Sequence, residues 1–137
     1  MRATAGYSGT PLPQKLGLKP GSRLIALGAP PNFRQVLQPL PAGVSIITRA
    51  SGEADVIVLF VTKFSRFMTE FAKASRLMPA NGGMLWVAWP KKAAKMDTDL
   101  DENLIRDHGL TTGLVDTKVC AIDETWSGLR FSRRKAK

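Results

Sequence analysis

The sequence predicts a three-layer α/β domain: a mainly parallel sheet between helices, closed by a C-terminal antiparallel hairpin. Three observations carry this. Apolar runs of strand length alternate with stretches of helical periodicity. The run Asp55–Val61 is apolar without alternation, as a parallel strand covered on both faces requires. Two further strand-like runs near the C-terminus are separated only by Asp123-Glu124-Thr125, a hairpin-length turn. With 137 residues, one domain of this kind is the natural size.

Each element follows from its local chemistry. Residues 1–22 are rich in Gly and Pro, which forbids a long element, but Leu12, Leu16 and Leu18 are placed to anchor one short helical turn on the core. Arg23–Leu27 reads as a buried strand ending at Gly28-Ala29-Pro30-Pro31. Asn32 then caps a short helix carrying Phe33, Val36, Leu37 and Leu40, limited by Pro39 and Pro41. Val44–Thr48 is a β-branched run, and Asp55–Val61 the strongest strand. Phe64, Phe67, Met68, Phe71, Ala72, Ser75 and Met78 form a helical stripe directed at the core.

Met84–Trp89 is the next strand, stopped by Pro90. Asp99 with Glu102 three residues later starts a helix through His108, with Gly109 at its end; Leu100, Leu104, Ile105 and His108 share its inner face. His108 is read as a helix-end residue interacting with the dipole. Lys118–Ile122 and Trp126–Ser132 form the hairpin. The domain therefore spans 23–133, after the N-terminal segment 1–22 and before a basic tail, 134–137.

Composition removes several function classes. The single Cys120 excludes an internal disulfide framework and a Cys-based zinc site, and the single His108 excludes a His cage. No metal is expected. No apolar run approaches the roughly 18–20 residues of a membrane span, and the N-terminus lacks a signal-peptide core, so the expected location is the cytoplasm, with no membrane partner. The net charge of +9 is uneven: residues 1–95 carry 13 basic and 3 acidic side chains, residues 96–129 carry 2 and 8, and the last eight add 5 basic. No helix-turn-helix, RNA-recognition or zinc-finger signature accompanies the basic residues, which disfavours a nucleic-acid accessory role.

Two resemblances emerge along the chain. Leu18-Lys19-Pro20-Gly21, Asp55-Val56-Ile57-Val58-Leu59 and the stretch Leu77–Val87 together resemble the S-adenosylmethionine-dependent methyltransferases, whose Rossmann-like fold also ends in an antiparallel hairpin. Ala5–Leu12, Leu85-Trp86-Val87-Ala88-Trp89-Pro90-Lys91-Lys92 and Asp123-Glu124-Thr125-Trp126-Ser127-Gly128-Leu129-Arg130-Phe131 resemble a family of small bacterial proteins of unknown function. The second resemblance covers about Thr4 to Arg133 and implies a Rossmann-like fold without assigning chemistry.

A dinucleotide or S-adenosylmethionine site needs a glycine-rich turn after the first strand and an acid after the second to hold ribose hydroxyls. Here the turn holds Pro30 and Pro31, which remove donors and stiffen it, and the second position holds Arg49. No cofactor is therefore expected. Ligands of open α/β sheets bind at the carboxyl ends of the strands. That edge gathers Lys63, Trp89, Lys91, Lys92, Asp123, Glu124 and Trp126: two indoles as a flat wall, three lysines for phosphate or carboxylate, and two carboxylates to accept hydrogen bonds or pair with the lysines. Tyr7, Ser8 and Thr10 sit in the glycine-rich entry segment, which either lies over this edge or is simply mobile. Cys120 is read as a small buried hydrophobe and no catalytic residue is assigned. The expected function is a non-enzymatic binding or regulatory module for a small anionic ligand or an acidic protein partner; a divergent methyltransferase is the enzymatic alternative.

Overall fold

The computed structural model describes residues 10–134, so Tyr7, Ser8 and Lys135–Lys137 of the tail lie outside the described residues. Six strands form one sheet: β1 (Arg23–Leu27), β2 (Ser45–Ile47), β3 (Val56–Phe60), β4 (Met84–Pro90), β5 (Leu114–Ala121) and β6 (Trp126–Arg133). Four α-helices accompany them among the described residues: α1 (Leu12–Leu16), α2 (Phe33–Val36), α3 (Phe64–Ser75) and α4 (Glu102–Thr111). The spatial order is β2-β1-β3-β4-β6-β5, with β2, β1, β3 and β4 parallel. β6 runs antiparallel to both β4 and β5. The expected α/β class, the adjacent parallel β3 and β4 joined through α3, and the closing hairpin are all present.

Strand pleat divides the core into two layers, because successive side chains alternate between faces. Ile57 and Leu59 of β3 and Leu85, Val87 and Trp89 of β4 join Phe67 and Phe71 of α3 and Ile105 of α4 in one cluster. Val56, Val58 and Phe60 of β3 and Trp86 and Ala88 of β4 join Leu12 and Leu16 of α1 and Phe33 of α2 in the other. All five β3 residues are buried, which is why that segment carries no alternation. The anticipated leucine anchor forms as α1, and the Trp86 indole donates to the Leu16 carbonyl at 3.1 Å, satisfying a fully buried N–H.

Three local expectations are corrected. The buried stripe of α3 is Phe67, Phe71 and Ala74, continued by Met78, while Met68 and Ala72 are exposed. The steps of four, three and four track the 3.6-residue period, and Met68 and Ala72 each sit one residue, about 100°, off that line. Helix α4 is capped by Asp101, whose carboxylate accepts the Leu104 N–H at 2.8 Å; Leu104 itself is exposed. Asp99 instead accepts the Phe64 N–H at 2.7 Å, capping α3 from a distant part of the chain. Gly109 lies inside α4 because Phe131 of β6 packs where a Cβ would be.

The two sequence motifs are explained largely by packing. In Trp86–Lys92, Trp86 and Ala88 enter one core layer, Val87 and Trp89 the other. In Asp123–Phe131, Asp123 Oδ1 accepts the N–H groups of Thr125 (2.8 Å) and Trp126 (2.9 Å), an Asx turn that sets the hairpin. Gly128 leaves room for Trp86 and Ile122, and Phe131 meets Phe71 edge-on with centroids 5.3 Å apart. Arg130 lies over the Trp86 ring at 5.9 Å. No helix among the described residues is long and apolar enough to cross a membrane.

Candidate functional site

The carboxyl edge of the parallel strands is built from the Gly28–Asn32 turn, the segment after β2, Thr62-Lys63, the stretch following β4, and the β5–β6 turn. Pro90 pairs with Trp126, and the Lys91 N–H donates to the Thr125 carbonyl at 2.8 Å. The seven residues singled out by sequence thus fall along one edge, but the sheet plane divides them.

The two indoles are separated by that plane. Trp89 pairs with Ser127 and belongs to the α3/α4 layer; Trp126 belongs to the α1/α2 layer. They form no common wall, and both are more than nine-tenths buried. Trp126 stands edge-on to Phe60 at 5.1 Å, and Phe60 edge-on to Phe33 at 5.0 Å, so these three rings fill the space beneath the turn after β1. Asp123 is spent on the hairpin, Glu124 is exposed, and neither pairs with a lysine among the described residues.

Lys63, at the N-terminal boundary of α3, is held by Asp97 at 2.8 Å; that hydrogen bond, with the nearby Asp99 charge, raises its pKa above the usual lysine value. Beside it the Thr98 hydroxyl donates to the Thr62 carbonyl at 2.6 Å. With Asp99 on the Phe64 N–H, these bonds clasp residues 97–99 over the start of α3. The clasp was not expected from sequence, since an acid before a helix reads as that helix's own cap.

On the α3/α4 side an open cleft of about 680 Å³ lies beside the end of β4. Trp89, Lys91, Lys92 and Ser127 line one side, and Thr98 with Asp101 and Glu102 at the start of α4 line the other. Met96 and Leu100 add apolar surface. Ser127, Thr98 and Met96 were missed by sequence; Ser127 was findable only through the β4–β6 register, which places it opposite Trp89. At the far end of α4, His108 packs edge-on against Phe67 (5.2 Å) and Phe71 (5.6 Å), so its role is packing between helices. Cys120 is half-buried on β5, and burial pushes its thiol above its usual pKa, away from thiolate chemistry. No group of three or more potential metal ligands occurs among the described residues.

The residues at the switch point do not fit S-adenosylmethionine or a dinucleotide. Strand β1 is flanked by β2 and β3, the place where a nucleotide would lie. Pro30 and Pro31 of the following turn have no N–H, and the Phe33 N–H is taken by the Pro30 carbonyl at 3.0 Å. Helix α2 has only four residues and Asn32 makes no side-chain cap. Gly28 is required for a different reason: at φ +71° an added Cβ would sit 2.9 Å from the Phe60 carbonyl oxygen. Exposed Arg49 follows β2 where an acid would accept ribose hydroxyls.

No protein-family profile matches the chain, and no curated protein does. Solved structures do. The release-factor-specific protein-(glutamine-N5) methyltransferase of Alicyclobacillus acidocaldarius aligns over 91% of this chain and 91% of its own, at 10% identity and a TM-score of 0.54. The magnesium protoporphyrin IX methyltransferase of Synechocystis, with bound S-adenosylmethionine, covers 90% of this chain and 74% of its own at 11% identity and 0.58. Fibrillarin of Aeropyrum pernix, in complex with natively bound S-adenosyl-L-methionine, covers 92% and 70% at 14% identity and 0.58. Sheet, hairpin and these likenesses together give the chain the methyltransferase-like Rossmann fold.

Proposed function

We propose that this chain is a non-catalytic binding module for a small anionic ligand, built on a methyltransferase-like Rossmann scaffold and using the cleft beside β4. The observation that carries it is that Lys91 and Lys92 line this cleft and neither forms an ion pair among the described residues. A pocket of several hundred Å³ at the carboxyl edge of an α/β sheet is a common place for a small ligand. The proline-stiffened turn after β1 supports a scaffold that has given up the nucleotide cradle. Mass spectrometry of the native protein, before and after denaturation, tests this: a stoichiometric anionic molecule is expected, lost in a Lys91→Ala/Lys92→Ala variant. A second reading, a divergent methyltransferase, is favoured by the fold likeness alone. Saturable, low-micromolar, one-to-one S-adenosylmethionine binding by calorimetry would establish that reading in place of ours.

A further inference from the structure

The polar groups of the cleft are sorted by type. One oxygen of each acid is engaged: Asp101 Oδ1 takes the Leu104 N–H, and Glu102 Oε2, like the Asn103 side-chain oxygen, takes Arg106. The Thr98 hydroxyl donates to the Thr62 carbonyl and accepts the Leu100 N–H. Its donors are not engaged: Lys91, Lys92 and the Ser127 hydroxyl make no side-chain hydrogen bond or ion pair with any described residue. Trp89 adds a fourth donor. It is 7% exposed and its indole N–H bonds to no described residue, yet no buried side-chain polar atom among the described residues is left without a partner. That N–H therefore reaches solvent, and Trp89 lines this cleft. Trp86, by contrast, has its N–H fixed on the Leu16 carbonyl.

We infer that the cleft is an oxyanion site, which takes an organic phosphate or carboxylate. This rests on the binding reading above and assigns its chemistry. Lys91, the Ser127 hydroxyl and the Trp89 N–H hold the oxygens, since these donors have no partner among the described residues and pair with a group that only accepts, while Arg106 offsets the Glu102 charge on the opposite wall. Lys92, exposed at the rim, draws the anion in. The apolar part of the ligand lies against Met96 and Leu100.

Three indole N–H signals make the test direct. A 15N-labelled sample is titrated with phenyl phosphate, benzoate and uncharged benzyl alcohol. The Trp89 cross-peak moves saturably with phenyl phosphate, benzoate or both, which separates the two sources of oxyanion; Trp86 stays still, and benzyl alcohol moves neither at the same concentrations. Lys91→Met, which keeps the side-chain stem, and Ser127→Ala weaken the acid about tenfold or more, the scale of a charge-assisted hydrogen bond, while unchanged Trp86 and Trp126 signals show the fold intact. Benzyl alcohol acting as strongly as the acids, or Lys91→Met leaving the affinity within twofold, overturns the oxyanion assignment and leaves a binding cleft standing. If no probe moves Trp89 and the native protein carries no small molecule, both readings fall.

Discussion

Replacing Gly109 by alanine sets two effects against each other inside one helix. Alanine in place of a mid-helix glycine normally stabilises by about 1 kcal/mol. Here the new Cβ would come within 3.0 Å of three ring atoms of Phe131. That ring cannot swing aside: Phe131 is fully buried and packed edge-on against Phe71. Overpacking of this kind costs about 1–3 kcal/mol, and three clashing atoms against a locked ring place it at the upper end. The net result is a loss of about 2 kcal/mol, and a Tm lower by roughly 6–10 °C for a domain of this size. Urea unfolding of four proteins closes the cycle: parent, Gly109→Ala, Phe131→Leu and the double variant. With the ring gone, Gly109→Ala becomes neutral or stabilising. A Gly109→Ala protein as stable as the parent would refute the reasoning, because α4 would then not be seated on β6 through that contact.

Trp126→Ala destabilises by about 3–5 kcal/mol, comparable to Trp86→Ala, since both open a buried cavity; denaturant unfolding reads this, and a Trp126 loss below about 1 kcal/mol would return it to the list of exposed ligand contacts. Asp99→Ala removes the remote cap of α3 and costs about 0.5–2 kcal/mol, with faster amide exchange in the first turn of α3 as the local readout. Arg106 holds the Asp116 carboxyl below its usual pKa, so the pair stabilises at pH values above the ordinary carboxylate range, and this is lost as pH falls through the lowered pKa. Both partners are partly exposed, so Asp116→Asn costs at most about 1 kcal/mol at neutral pH, and the difference from the parent vanishes in strong acid.

The strands and their direction were legible because buried parallel strands must be apolar on both faces, and Asp55–Val61 and Met84–Trp89 announce that directly. The carboxyl edge followed from direction alone. What was hidden depended on phase and partner. Met68 looks like a core residue until the helix is turned by about 100°, and Asp99 looks like the cap of the nearest helix although it serves another. Trp89 and Trp126 share an edge, but which face each takes depends on a register set across more than thirty residues, with Pro90 opposite Trp126. A short-range pattern carries no information about that pairing.

The insertion of β6 between β4 and β5 has a consequence for how the molecule is made. β5 and β6 are neighbours in sequence and close a short loop, so they pair early and as a unit. β4 must wait for a partner some forty residues downstream, with Leu85 opposite Phe131. A chain emerging from the ribosome therefore displays a long, apolar, unpaired β4 edge until Trp126–Arg133 has cleared the exit, and shortening the chain within β6 would leave that edge open for good. Such a protein depends on β6 for staying out of the hands of other unpaired strands during synthesis as well as for the stability of the folded core.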